Sequence, residues 1–259
     1  MNILLTNDDG IDAQGLPILA KCLSPWAKVW VCVPSEQQSG TGHGITVRET
    51  LRVREEKLEG TEKAWSVGGK PVDCVKLAFL VLMKESIDLV ISGINEGTNL
   101  GTDTLYSGTV AGAMEGALYG VPAIAISLEL KKDAGEPDFG PSAQICADLV
   151  SKWEKGALPI PPMSVLNVNV PGIPADKMKG YMAARLGIQR YSDLYEMLDA
   201  SGDYSHYRLK GERMPSHDED PGLDLNALAQ GYVTLTPLTA IRTDAALLDE
   251  IVKFTETNF

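Results

Sequence analysis

NILLTNDDGIDAQGLPILAKCLSPWAKVWVCV, residues 2–33, carries the reading that decides the fold. NILLT (2–6) is an apolar run of strand length, QGLPILAKCLS (14–24) reads as a helix, and VWVCV (29–33) is a second apolar strand. A strand, a helix and a strand in that order imply parallel pairing through a right-handed crossover. Strands that are apolar throughout, rather than at alternate positions, fit a sheet covered by helices on both faces.

The alternation continues outward. Residues 45–54 and 63–67 look like shorter, more polar strands of a peripheral excursion. PVDCVKLAFLVLMK (71–84) is a helix with Pro71 near its first turn. Strands at 87–92, 121–128 and 165–170 alternate with helices at 107–119 and about 141–154. After Pro171 the pattern weakens: 187–222 is polar and irregular, with PSHDEDPG (215–222) a loop. A strand at 232–236 and a helix at 244–254 restore order. The expected fold is α/β, a doubly wound, mostly parallel, Rossmann-like three-layer sheet in a single domain over 1–259. Its core spans about 1–170, an arm about 187–222, and a closing strand and helix about 232–254.

Composition narrows the function. Of 259 residues, 23 are Lys or Arg and 35 are Asp or Glu, a net charge of −12. That argues against a nucleic-acid scaffold, which needs a basic face. It also means that an anionic substrate needs a local positive centre, for which a bound cation is the natural candidate. Cys22, Cys32, Cys74 and Cys146 lie in apolar stretches without a CxxC pair, as buried thiols of a reducing compartment do. His43, His206 and His217 are too far apart for zinc spacing. The start MNILLTNDDG lacks the features of a signal or transit peptide, and no apolar run approaches a membrane span, so the expected location is the cytoplasm, with no membrane partner.

Ligands of open α/β sheets bind outside the carboxyl ends of the strands. Three polar loops fall there: TNDDGID (6–12), PSEQQSGTGHGIT (34–46) and GINEGTNLGTDTLYSGT (93–109). The adjacent carboxylates Asp8 and Asp9 repel each other unless a cation joins them, and hard cations such as Mg²⁺ choose such oxygens. A pair of turn-capping aspartates before Gly10 is the plainer alternative. Ser39 and Asn95 are either turn residues or two neutral oxygens that complete a set of four. Acid at residues 8, 9 and 12 also excludes the glycine-rich pyrophosphate turn of a nicotinamide-binding fold.

In YSGTVAGAMEGALYG (106–120), Ser107 suits a helix N-cap, and Gly108 and Thr109 open a first turn whose N–H groups favour an anion. Asn99, with Thr98, stands just upstream as a further donor. Gly108, Gly112, Gly116 and Gly120 recur every four residues, a packing pattern for the last three; Gly108 either packs too or admits a phosphate. On the phosphate reading, a larger residue at 108 blocks the anion and spares the metal ligands. With no GxSxG elbow and no Cys beside a polar loop, a metal-activated water is the natural nucleophile. His43 is a possible acid for the leaving group, or a loop histidine with a structural hydrogen bond.

Taken together, LLTNDDGIDAQGL (4–16), VPSEQQSGTGHGIT (33–46), SGINEGTNLGTDTLYSGTVAGAMEGALYGVPAIAIS (92–127) and GYVTLTPL (231–238) resemble the SurE (survival protein E) nucleotidases. The resemblance implies a 5′/3′-nucleotidase that hydrolyses nucleoside monophosphates, and in some members short polyphosphate, with one Mg²⁺ or Mn²⁺ per subunit. It implies metal binding by Asp8, Asp9, Ser39 and Asn95, catalysis at Asp8 and Asp9, and phosphate binding by Asn99, Ser107, Gly108 and Thr109. It further implies a homodimer or homotetramer built through an exchanged C-terminal arm; GDYSHYRLKGE (202–212) stands where the family often has a GRxYYW-like run. A non-catalytic nucleotide-binding or regulatory module on the same fold is the competing reading, against which the carboxylate pair counts.

Overall fold

The structure is a computed structural model that describes residues 1–131, 135–192, 194–201, 203–214, 218–241 and 243–258. Its frame is the one the opening stretch implies. Strand β1 (Asn2–Thr6) leads through α1 (Gly15–Leu23) to β2 (Lys28–Pro34). Next come β3 (Val53–Glu56), β4 (Lys63–Val67), α2 (Pro71–Leu77), which runs on as a π-helical turn at Ala78–Leu82, and β5 (Leu89–Glu96). A 3-10 turn (Gly101–Leu105) precedes α3 (Gly108–Leu118), β6 (Ala123–Leu128), α4 (Gly140–Glu154) and β7 (Ser164–Val170). The C-terminal part supplies β8 (Tyr181–Ala183), β9 (Leu194–Ser201), β10 (Tyr204–Lys210), α5 (Asp224–Ala229), β11 (Val233–Thr239) and α6 (Ala245–Asn258).

Nine strands form one sheet in the order β3-β4-β2-β1-β5-β6-β7-β11-β8. From β4 to β7 every pairing is parallel. β3 runs antiparallel to β4, and β11 antiparallel to β7. Successive side chains of a strand point to opposite faces, and β1 shows both burials at once. Ile3 and Leu5 enter a core with Leu16, Leu19 and Phe139 on the α1/α4 side. Leu4 enters a second core with Cys74, Val75, Ala113 and Ala117 on the α2/α3 side. The result is the expected three-layer arrangement. Because β2 lies on one side of β1 and β5 on the other, the strand order reverses at β1, where a crevice opens at the carboxyl edge.

The glycine row of α3 explains how closely that helix lies on the sheet. A Cβ on Gly112 would fall 2.9 Å from Thr6 Cγ2, and one on Gly116 2.5 Å from Val90 Cγ2. Both are packing glycines, as their spacing suggests. Gly120 does not pack as expected: a Cβ there would meet open space, and its positive φ of 81° just beyond the helix end is the usual device for stopping a helix.

Three expectations need correction. The strand placed at 45–54 begins only at Val53, because the earlier part is committed elsewhere: Thr46 donates N–H and O–H to the Asp73 carboxylate, and Ile45 O accepts from Lys70 Nζ. β3 and β4 are also part of the main sheet, at its edge, rather than an excursion. Finally, 187–222 is not irregular throughout: β9 and β10 form an antiparallel hairpin with Tyr207 opposite Met197 and Leu209 opposite Tyr195. All four of these side chains are exposed, so burial left no polar-out pattern to read. His217 and the Pro215–Ser216 part of the expected loop lie outside the described residues.

Candidate active site

Asp8 stands two residues beyond β1 and is only 4% exposed. The turn that holds it is clamped by a residue the sequence reading passed over. Asn7 Oδ1 accepts from Gly10 N at 3.0 Å, and Asn7 Nδ2 donates to Gly10 O at 2.8 Å. The loop after β2 is tied to the same turn, with Gln38 N donating to Asp8 O at 2.7 Å. Asp9 spans the other two loops: its carboxylate accepts from Gln37 Nε2 at 3.2 Å and from Glu96 N at 3.1 Å. All three loops therefore converge on the aspartate pair.

The carboxylates are electrostatically uncomfortable. Burial pushes the Asp8 pKa up to about 6, against 3.8 for an ordinary aspartate; the Asp9 charge adds to the rise, and the Thr109 hydroxyl, donating to Asp8 Oδ1 at 2.5 Å, works against it. Burial raises Asp9 as well. A cation would relieve both shifts.

Beside this pair lies a cavity of about 1140 Å³ lined by Asp8, Ser39, Asn95, Asn99 and Ser107, among others. The structure thus gathers five of the nine candidate residues at one cavity. Asp9, Gly108, Thr109 and His43 are not among its lining residues. Thr109 touches Asp8, whereas His43 faces α3, where its Nε2 meets Glu115 Oε2 at 2.9 Å.

Gly108 lies against Asp8. A Cβ there would lie 2.7 Å from Asp8 Cβ and 2.9 Å from its Oδ2. The missing side chain makes room for the carboxylate, so a larger residue at 108 would displace Asp8. Ser107 caps α3 as expected, its Oγ accepting from Val110 N at 3.0 Å. Its hydroxyl proton is thereby left to donate elsewhere.

Asn99 is fixed from β7. Asn99 N donates to Asn169 Oδ1 at 2.8 Å, and Asn99 O accepts from Asn167 Nδ2 at 2.9 Å. Its own Nδ2 donates to Ser127 Oγ at 2.8 Å. The sequence did carry a signal here, since two asparagines at alternate positions of an apolar strand (LNVNV) must face one side and find partners there.

The far wall of the cavity comes from the late sequence and was not anticipated. Arg190, Tyr191, Tyr195, Leu209, Arg213 and Met214 line it. Arg213 donates to Thr98 Oγ1 at 2.8 Å and to Asp103 Oδ2 at 3.1 Å, and Tyr191 O–H donates to the same Asp103 oxygen at 2.6 Å. Buried Asp224 fastens this wall to the loop after β5, accepting from Gly101 N at 2.7 Å and Gly187 N at 2.9 Å. Two arginines thus line the cavity, and Arg213 is paired with Asp103.

The chain is similar to known proteins over nearly its whole length. The family model of survival protein SurE matches residues 3–193. The 5′-nucleotidase SurE of Clostridium botulinum (strain Eklund 17B / Type B) is 43% identical over 257 residues, covering 99% of this chain and all of its own length. The protein of that name from Thermosipho africanus (strain TCF52B) is 40% identical over 252 residues, covering 97% of this chain and 96% of its own. The crystal structure of the SurE protein from Aquifex aeolicus superposes with a TM-score of 0.81 at 34% identity, covering 98% of this chain and 100% of that one.

Two outcomes follow from the packing of Asp8. Gly108→Ala is expected to displace the carboxylate, weakening Mn²⁺ binding and turnover together by about tenfold or more, as calorimetric titration beside kinetics will read. Wild-type Mn²⁺ affinity with lost turnover would instead put an anion against Gly108. The second concerns the metal-free protein. Between pH 3.8 and about 6 its folded state holds a proton on Asp8 that the unfolded chain has lost, so stability falls as pH rises through that window. Above it, Asp8→Asn removes the buried charge. The metal-free variant should melt higher than metal-free wild type at neutral pH, by up to about 3 kcal/mol, while losing activity. A lower melting temperature would refute this account.

Proposed function

The chain belongs to the survival protein SurE family, and from that premise we propose how it works as a metal-dependent phosphomonoesterase that hydrolyses nucleoside monophosphates, a 5′-nucleotidase. The observation that carries the reading is a buried carboxylate, Asp8, adjoining the half-buried Asp9 beside a cavity rimmed by neutral oxygens, amides and a helix N-terminus. A non-catalytic phosphate binder has no use for two anions at that point, which is why the regulatory alternative is disfavoured.

The donor set fits a hard divalent cation. Asp8 and Asp9 offer charged oxygens, and Ser39 and Asn95 neutral ones. Asn95 Nδ2 is occupied by Gly97 O at 2.7 Å, which leaves its carbonyl oxygen for a ligand. Among the described residues no three His, Cys, Asp or Glu side chains cluster as a metal group. Few charged ligands with room for water suit Mg²⁺ or Mn²⁺, one ion per subunit, better than zinc. Such an ion supplies Lewis acidity, lowering the pKa of a coordinated water and offsetting phosphoryl charge.

The chain's own groups do the rest. Asn99 and Ser107 donate toward a phosphate in the cavity, with the first turn of α3 and its dipole favouring the anion. Thr109 holds Asp8 in place. The far wall, with Tyr195, Leu209 and Met214 beside Arg213, supports binding of the nucleoside, whose base has an apolar face and a polar edge. We extend the reading to 3′-monophosphates and short polyphosphate, and to a cytoplasmic location; among the described residues no helix is long and apolar enough to cross a membrane.

The arm supports assembly into a homodimer or homotetramer. A two-stranded hairpin is marginal alone, yet this one carries exposed Tyr195, Met197, Tyr204, Tyr207 and Leu209. The domain reading follows: one α/β unit whose arm reaches a second copy.

EDTA should abolish phosphate release from AMP, and Mg²⁺ or Mn²⁺ should restore it in wild type but not in Asp9→Asn; full activity in the chelator would end the metal reading. For the assembly, a protein with the β9–β10 hairpin replaced by a short turn should sediment as smaller species than wild type. An unchanged oligomer, or a monomeric wild type, would refute the role of the arm.

A further inference from the structure

On the reading that Asp8, Asp9, Ser39 and Asn95 hold the cation, we propose that His43 is a positioning residue for Ser39. Its contact with Glu115 ties the Ser39 loop to α3 and so sets the affinity of the site for its divalent ion.

The loop from Ser35 to Thr46 runs from the end of β2 toward α2 with neither strand nor helix to fix its path. Ser39 is followed by Gly40 and, two residues on, by Gly42, with φ of 73° and 53°. Glycines have the widest backbone freedom, so this stretch is held by its anchors. On the N-terminal side the anchor is Gln38 N on Asp8 O, and Thr41 Oγ1 closes the turn on Gln38 O at 2.9 Å. On the C-terminal side Gly42 N reaches Tyr106 O at 2.9 Å, and His43 supplies the first side-chain anchor beyond the turn.

What His43 grips is unusually well fixed. Glu115 is 7% exposed and also accepts from Lys76 Nζ at 3.1 Å. Burial alone would raise its pKa, but the hydrogen bonds from His43 and Lys76 outweigh that and hold the carboxyl below its ordinary range. Glu115 belongs to α3, the helix whose Gly108 abuts Asp8 and whose Thr109 bonds it. One helix is therefore the common reference for Asp8 and, through His43, for Ser39. Losing His43 would leave the loop tied to the approach of α3 by Gly42 N on Tyr106 O, while Lys76 still pairs the buried carboxylate and the Thr46–Asp73 bonds still hold the far end of the loop. The predicted change is therefore in the site and not in the fold.

The experiment is calorimetric titration of Mn²⁺ into the full-length protein stripped by chelation, with melting curves in parallel. Ser39→Ala and His43→Ala should each weaken Mn²⁺ about tenfold or more, the range seen when a group supporting a metal ligand is removed. In the Ser39→Ala background, His43→Ala should change little further, because its effect passes through Ser39. His43→Gln, whose amide can still donate to Glu115, should recover most of the affinity. Glu115→Gln approaches the contact from the other side, and its loss should likewise vanish without Ser39. Multiplying effects, or a His43→Ala protein that binds Mn²⁺ like wild type, would overturn the proposal. So would a His43→Gln protein with normal Mn²⁺ affinity but collapsed turnover, since that result makes His43 a proton donor to the leaving group. Should Ser39→Ala itself bind Mn²⁺ normally, the metal role of Ser39 fails first and this inference falls with it, a pattern distinct from a weakened Ser39→Ala beside an unaffected His43→Ala.

Discussion

A carboxylate with almost no access to water stands at the end of the central strand, in contact with the first turn of a helix that has no side chain at that point. Asp8 lies just beyond β1, which parallel strands flank on both sides, and Gln38 N donates to its carbonyl oxygen. The bare Cα of Gly108 and the hydroxyl of Thr109 meet it from α3. A second carboxylate follows immediately. Folding thus places two like charges where solvation is poor, at a cost that hydrogen bonding only partly offsets. The rest of the crevice is organised around that unresolved charge: the loops after β2 and β5 are bonded to the same turn and bring neutral oxygens and amides to its edge.

Most of the frame was legible because burial writes itself into sequence. Strands hidden on both faces must be apolar throughout, and the glycines of α3 recur because one face of that helix meets Thr6, Ser92 and Val90. The site loops were legible for a different reason. In a sheet of this kind chemistry is confined to one edge, so polar loops at that edge are few and can be read together. Asp8, Ser39, Asn95, Asn99 and Ser107 do share one cavity.

What escaped the sequence was tertiary. That Gly108 yields to Asp8, 100 positions earlier, depends on how a helix lies across a strand, and no local pattern encodes it. Arg213 and Asp224 sit in stretches with no distinguishing composition, yet one spans Thr98 and Asp103 and the other joins Gly101 to Gly187. The exposed hairpin was hidden because period-two burial, the usual mark of a strand, is absent where neither face is covered. Asn167 and Asn169 are the intermediate case, with a local oddity in plain view and partners visible only in three dimensions.

The far wall also has a consequence for the order in which the protein becomes competent. Its bonds join residues more than a hundred positions apart: Thr98 to Arg213 and Gly101 to Asp224. β11 slots between β7 and β8, antiparallel to the first and parallel to the second, after the parallel half of the sheet has been synthesised. Contacts of such separation form late, since the intervening chain must first be closed into a loop. A chain emerging from the ribosome therefore possesses the carboxylate pair long before it possesses a closed cavity. Until the last quarter of the polypeptide arrives, the cavity lacks the residues from Tyr195 to Met214 that line it.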